Sequence, residues 1–122
     1  MANILVIDDD DSIRFSLKMA LEDANHQVDT SPDGEAGMAL FAATAPDLVI
    51  TDIFMPEKEG LETIDEIKRI RPETKIIAIS GGGHMDPNDY LNIARRIGAD
   101  CTLTKPFDIQ VLVDAVNELL TV

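Results

Sequence analysis

The chain has 122 residues, 45% of them hydrophobic, which suffices for one packed domain without staples, and its single Cys101 excludes an internal disulfide. Ten basic side chains stand against 23 acidic ones, and the net charge of −13 repels phosphate backbones and anionic lipid, which argues against nucleic acid and membranes as direct partners and favours cations. No apolar run approaches a membrane span and no secretion signal opens the chain, so the expectation is a cytoplasmic protein whose residues 1–122 form a single domain with no effector domain.

The first element is a strand, Asn3 to Ile7, apolar throughout as in a parallel sheet covered on both faces. A helix follows from about Ser12, a good cap, to Ala24, with Ile13, Leu17, Ala20, Leu21 and Ala24 on one stripe and Asn25 as the stop. Phe15 and Met19 fall off that stripe and read as edge packing, with a partner patch as the other reading; His26 reads as a surface residue. Gln27 to Ser31 is a shorter, more polar strand suited to a sheet edge. Ser31-Pro32-Asp33-Gly34 opens a second helix, which ends before Pro46.

The stretch Leu48 to Asp52 is a buried strand that delivers one carboxylate to a rim. After a loop to Gly60 a third helix carries Leu61, Ile64, Ile67 and Ile70 and closes at Arg71-Pro72. Lys75 to Ser80 is the fourth strand, followed by the Gly81-Gly82-Gly83-His84 loop and a short helix from about Asn88 to Ile97, stopped by Gly98. A fifth strand, Cys101 to Thr104, leads through Lys105-Pro106 to a last helix capped by Asp108, with Ile109, Leu112, Val113, Val116, Leu119 and Leu120 on its apolar stripe. Cys101, inside an apolar strand, reads as a packing residue.

Five β-then-α units with right-handed crossovers make an α/β doubly wound parallel sheet with five helices on its two faces. Asp8, Asp52, Ser80 and Lys105 then stand at the carboxyl ends of their strands, where such sheets bind ligands. Asp8, Asp9 and Asp52 on one rim repel each other unless a hard cation joins them, and oxygen-only ligands completed by water favour Mg2+. A carboxylate is also a nucleophile able to form an aspartyl phosphate, with Mg2+, the Lys105 ammonium and the Ser80 hydroxyl neutralising the moving oxygens. Taken singly, each residue has a plainer reading: a solvated acidic run, a turn cap, a surface lysine or a turn serine. Placement at four separate strand ends is what sets them apart. The glycine run is not a nucleotide P-loop, since no Gly-Lys-Ser/Thr follows it.

Four motifs, ILVIDDD, DLVITDIFMP followed by Gly60, IIAIS and GADCTLTKPF, come in this order and at compatible spacing. In them the chain resembles the receiver domain of two-component response regulators over nearly its whole length. The resemblance implies a flavodoxin-like sheet of order 2-1-3-4-5 and a phosphoacceptor signalling module: Asp52 would accept phosphate from a histidine kinase or phosphotransfer protein, or from acetyl phosphate. Asp8, Asp9, Asp52 and the backbone carbonyl of Phe54 would hold Mg2+, and Ser80 and Lys105 would contact the phosphoryl group. Ile13, Pro106 and Phe107 look like the docking region for the phosphodonor, and output would pass to a downstream protein by direct contact. The resemblance also implies a cis Lys105-Pro106 bond.

Two departures bear on the switch. Thr102 stands where the family commonly has a reorienting aromatic, and the segment from Ser80 to Lys105 is about three residues longer than the family pattern. Ser80 and Thr102 hold what the resemblance implies are the switch positions; Thr102 is too small and too restricted in rotamers to fill space as the aromatic does, so the Gly81 to Pro87 loop and the face around Tyr90, Arg95 and Arg96 are expected to carry the change. Phe54 and Gly82 stand where family side chains steer the hydrolytic water; neither can orient one, so self-dephosphorylation is expected to be slow. A Mg2+-dependent phosphohydrolase with an aspartyl nucleophile is the alternative, although Phe54 occupies the position of its second Asp. A flavin carrier on the same sheet is disfavoured by the acidic rim.

Overall fold

A computed structural model of the chain describes residues 2–53, 60–80 and 87–121. Its elements alternate strictly: β1 (Asn3–Ile7), α1 (Asp11–Asp23), β2 (Gln27–Ser31), α2 (Gly34–Thr44), β3 (Leu48–Asp52), α3 (Gly60–Ile70), β4 (Lys75–Ser80), α4 (Pro87–Ile97), β5 (Cys101–Thr104) and α5 (Ile109–Leu120). All strands are parallel and run in the order β2-β1-β3-β4-β5. This is the doubly wound, flavodoxin-like arrangement expected, with the most polar strand, β2, at an edge.

The period of two in a strand splits the apolar side chains into two cores. Ile4, Val6, Leu48, Ile50, Ile77 and Ile79 face α1 and α5, where Leu17, Leu21, Leu112 and Val116 are buried. Leu5, Ile7, Val49, Ile76 and Ala78 face the opposite way, against Phe41 of α2, Ile64 and Ile67 of α3 and Ala94 of α4. Every residue of β3 is buried, as a central strand covered on both faces must be. Cys101 packs half-buried against the first of these cores.

Local chemistry explains where the helices begin. The cap of α1 is Asp10 rather than Ser12: the Asp10 carboxylate accepts hydrogen bonds from the Ser12 and Ile13 amides at 2.9 and 3.3 Å. In a run of four aspartates the residue with extended φ/ψ takes the cap, and a carboxylate also complements the helix dipole. Asp33 caps α2 through the Ala36 amide at 2.8 Å, and Asp108 caps α5 through that of Gln110 at 2.8 Å. Helix α4 starts one residue earlier than expected, at Pro87, a residue preorganised for a first helical position. Asn25 has a φ of 72°, in keeping with its role as the stop after α1, and Ala45 enters the left-handed region at 46° between α2 and Pro46.

Three surface expectations need correction. Phe15 and Met19 are not edge packing: they stand 65% and 50% exposed on α1. Ile70, counted with the apolar stripe of α3, is 58% exposed at the helix end. His26 is half-buried and structural, its Nδ1 accepting from the Ala2 amide at 3.2 Å while Nε2 lies 3.0 Å from Asn117 Oδ1. An amide can only donate, so Nδ1 carries the lone pair, Nε2 carries the proton, and the ring joins the chain start to α5. Among the described residues no helix is long and apolar enough to cross a membrane.

Candidate metal and phosphoryl site

The register of the parallel strands decides which side chains meet. Ile7 pairs with Thr51 across β1 and β3, so Asp8, the next residue, lies level with Asp52. Asp52 pairs with Ile79, and Ser80 stands one residue further out beside Thr104. Lys105 follows Thr104; its amide donates to the Ser80 carbonyl at 2.8 Å, which holds its backbone against the end of β4. From there its side chain crosses over β4. The ammonium donates to Asp52 Oδ2 at 2.8 Å and lies 3.2 Å from Asp8 Oδ2. The Lys105-Pro106 peptide is cis, as expected.

Asp8 and Asp52 are buried, at 1% and 4% exposure, whereas Asp9 is exposed beside them. One carboxylate oxygen from each lies within 4.8 Å of the other two. Asp8 Oδ1 accepts from the Asp10 amide at 2.9 Å, while Asp8 Oδ2, despite its ion pair with Lys105, has no partner in hydrogen-bond geometry among the described residues. A buried oxygen left in that condition, in an all-oxygen set of carboxylates, suits a hard divalent cation.

Burial is the main influence on Asp8 and pushes its carboxyl above the ordinary 3.8; the Asp52 charge adds to this, and the Asp10 amide and Lys105 oppose it. For Lys105 burial would lower the value, but the hydrogen bond and charge of Asp52 together with the charge of Asp8 outweigh it and hold the ammonium above 10.5. Lys105 is therefore a cation at every working pH, and Asp8 resists ionisation more than an ordinary aspartate does.

Ser80 is fully buried, and its hydroxyl finds no hydrogen-bond partner among the described residues. Such a group waits for an acceptor. Thr102 does not reach the acidic rim: its hydroxyl accepts from the Arg95 guanidinium at 2.9 Å, which ties β5 to α4. Ile13 and Ser16 of α1 join Lys105, Pro106 and Phe107 around a groove of about 380 Å3 that opens beside the site. The Phe54 carbonyl and the loop residues Gly81 to His84, with Gly82 among them, lie outside the described residues, as does the Tyr90 side chain.

Two contributions were not read from sequence: Gly60 was named there only as part of a motif, without a role, and Arg14 not at all. Gly60 begins α3 so close to the end of β3 that a Cβ there would stand 2.3 Å from the Asp52 carbonyl oxygen and 2.4 Å from Ile53 Cα. Arg14, 18% exposed, donates from NH1 to the Asp8 carbonyl at 2.6 Å and from NH2 to the Asp11 carboxylate. The only signal for Arg14 was a basic residue one turn into a helix that begins in acid.

Comparison with known proteins agrees with this geometry. The family model described as the response regulator receiver domain matches residues 4–117. The chain is 40% identical over 119 residues to the DNA-binding transcriptional regulator NtrC of Azospirillum brasilense, covering 98% of this chain but 24% of that protein. It is 31% identical to the chemotaxis protein CheY of Halobacterium salinarum, with 97% of this chain and 96% of that one aligned. The chain thus spans about a quarter of the one relative and nearly all of the other. Among solved structures, a response regulator receiver domain protein from Clostridium thermocellum superposes with a TM-score of 0.90 at 34% identity, covering 98% of this chain and 94% of that one. A family model that matches from residue 4 to residue 117, a span that takes in both acidic strand ends and the lysine, shows membership and not a shared sheet alone: the chain belongs to the receiver domain family of two-component response regulators.

Proposed function

We propose that this receiver domain is a Mg2+-dependent phosphoacceptor in which Asp52 takes a phosphoryl group from a phosphohistidine on a histidine kinase or phosphotransfer protein, or from acetyl phosphate. The observation that carries the reading is the Lys105 ammonium held between Asp52 and Asp8 with the Asp9 carboxylate close by. An Asp52 oxygen attacks phosphorus, an O–P bond forms as the donor N–P bond breaks, and the electron pair and a proton go to the departing imidazole nitrogen. Lys105 and Ser80 donate to the phosphoryl oxygens, and in the low-dielectric rim these fixed donors are worth more than water. Asp8, Asp9, Asp52 and the Phe54 carbonyl would hold Mg2+, which supplies charge neutralisation to the same oxygens.

The groove lined by Ile13, Pro106 and Phe107 opens beside Lys105 and suits the apolar side of a donor helix. Self-phosphorylation and slow self-dephosphorylation are the domain's only chemistry, its place is the cytoplasm, and its output is contact with a downstream protein, with Ser80 and Thr102 as the switch positions.

Mass spectrometry after incubation with acetyl phosphate and Mg2+ tests the assignment. One stable phosphoryl adduct is expected, abolished by Asp52→Asn and slowed with loss of its Mg2+ dependence by Asp9→Ala. Labelling of the Asp52→Asn protein at the normal rate would sink it. Continuous phosphate release without an adduct would instead indicate a hydrolase.

A further inference from the structure

We propose that Arg14 is a positioning residue of the cation site: it locks the Asp8-Asp9 peptide and so fixes the point at which the exposed Asp9 side chain leaves the backbone, beside Asp8 and Asp52. The inference rests on the Mg2+ reading above. Three carboxylates with oxygens within 4.8 Å of one another repel, and Asp9, the exposed one, can relieve the repulsion by swinging into water.

The Asp8 carbonyl and the Asp9 amide belong to one rigid plane. The Asp8 amide donates to the Ser31 carbonyl at 3.1 Å, and the Asp8 carbonyl accepts from Arg14 NH1 at 2.6 Å, so the backbone leading to Asp9 is gripped on both sides of Asp8. The guanidinium is itself gripped, since its NH2 donates to Asp11 and the Arg14 amide donates to the Asp10 carbonyl at 3.0 Å inside α1. With a side chain only 18% exposed, Arg14 is a fork built into the helix and not a surface charge. The start of α1, secured by the Asp10 cap, thereby dictates the orientation of the neighbouring peptide.

Charge and positioning predict opposite signs. As a permanent cation beside the site, Arg14 repels Mg2+, and on charge alone its removal tightens binding. As a positioning residue, its removal loosens binding, and groups that orient a metal ligand typically account for about 10- to 100-fold in affinity. A role confined to helix stability lowers the melting temperature and leaves the Mg2+ dissociation constant where it was.

Calorimetric titration of the unphosphorylated chain with MgCl2 separates these cases. Arg14→Met is expected to weaken Mg2+ binding at least about 10-fold, and Arg14→Lys, which keeps one donor but not the fork, to recover part of it. An unchanged or tighter constant for Arg14→Met overturns the proposal. Should Arg14→Met fail to fold, Arg14→Lys carries the test, with an intermediate loss expected and an unchanged constant overturning it. A wild-type chain that takes up no Mg2+ overturns the underlying reading itself, a result distinct from a wild type that binds and variants that bind equally well.

Discussion

Asp8 is the residue at which stability and function oppose each other. Its carboxyl is raised, so the folded chain holds its proton more tightly than the unfolded chain does. The stability Asp8 contributes is fully present below its unfolded value near 3.8 and is lost as pH rises through the higher folded value. At neutral pH the ionised group therefore opposes folding. Lys105 has the complementary sign: its contribution is present below 10.5 and disappears only as pH rises through the folded value above that, far outside the working range. Asp8→Asn should then be more stable than wild type at pH 7 without divalent cations, with the advantage shrinking as pH falls toward 4. Denaturant titrations across that range check it, and a constant advantage at every pH would show that the Asp8 proton is not its source. The same substitution should forfeit the stabilisation by Mg2+, because the group that opposes folding at neutral pH is one that would bind the ion.

At the scale of elements, two helix ends are held by opposite backbone demands. The start of α3 lies against the end of β3 with no room for a Cβ at Gly60, and the atoms in the way are backbone and cannot rotate aside. Gly60→Ala should destabilise by about 3 kcal/mol and displace Asp52, with loss of labelling by acetyl phosphate. Ala45, by contrast, leaves α2 with a φ of 46° that suits glycine better. Ala45→Gly should be neutral or stabilising by up to about 1 kcal/mol, because relief of left-handed strain offsets the added chain entropy. Thermal or chemical denaturation of the two variants reads both signs, and the reverse order would mean that these helix ends can shift. Helix α4 is tied to β5 by the Arg95 to Thr102 hydrogen bond, and Arg95 and Arg96 are exposed beyond it. Hydrogen exchange with and without a phosphoryl mimic should change most across Gly81 to Leu91, where three glycines permit large backbone rotations, and little at Thr102. A response confined to β5 would put the switch in the last strand instead.

For the whole molecule, the charge of −13 means that folding gathers like charge into a small volume, and the acidic rim gathers it most tightly. A divalent cation that binds only the folded chain stabilises it by mass action. At ten times its dissociation constant Mg2+ should add about 1.4 kcal/mol, seen as a rise in melting temperature of about 5 °C. NaCl at matched ionic strength screens without occupying the site and should raise it much less. Equal shifts from the two salts would mean that general screening, and not a site, is responsible.

The apolar runs by themselves determined the α/β alternation, the five strands and the carboxylate, hydroxyl and amine at their ends. A strand buried on both faces must be apolar along its whole length, so any polar group at its end stands out. The motifs, by resemblance, determined the strand order and the Asp8, Asp9, Asp52, Ser80 and Lys105 constellation. Only the tertiary structure decided which of four aspartates caps α1, because adjacent identical side chains differ only in backbone angles. It also turned His26 from a surface residue into a link to α5 through Asn117, 91 positions along the chain. The reason for Gly60, which the motif named without explaining, and the role of Arg14 belong with these: one acts through a close approach of two backbones, the other through a carbonyl with no side-chain signature. Periodicity registers which side chains are buried, whereas contacts made through the main chain depend on how elements meet and leave no trace in the pattern of residues.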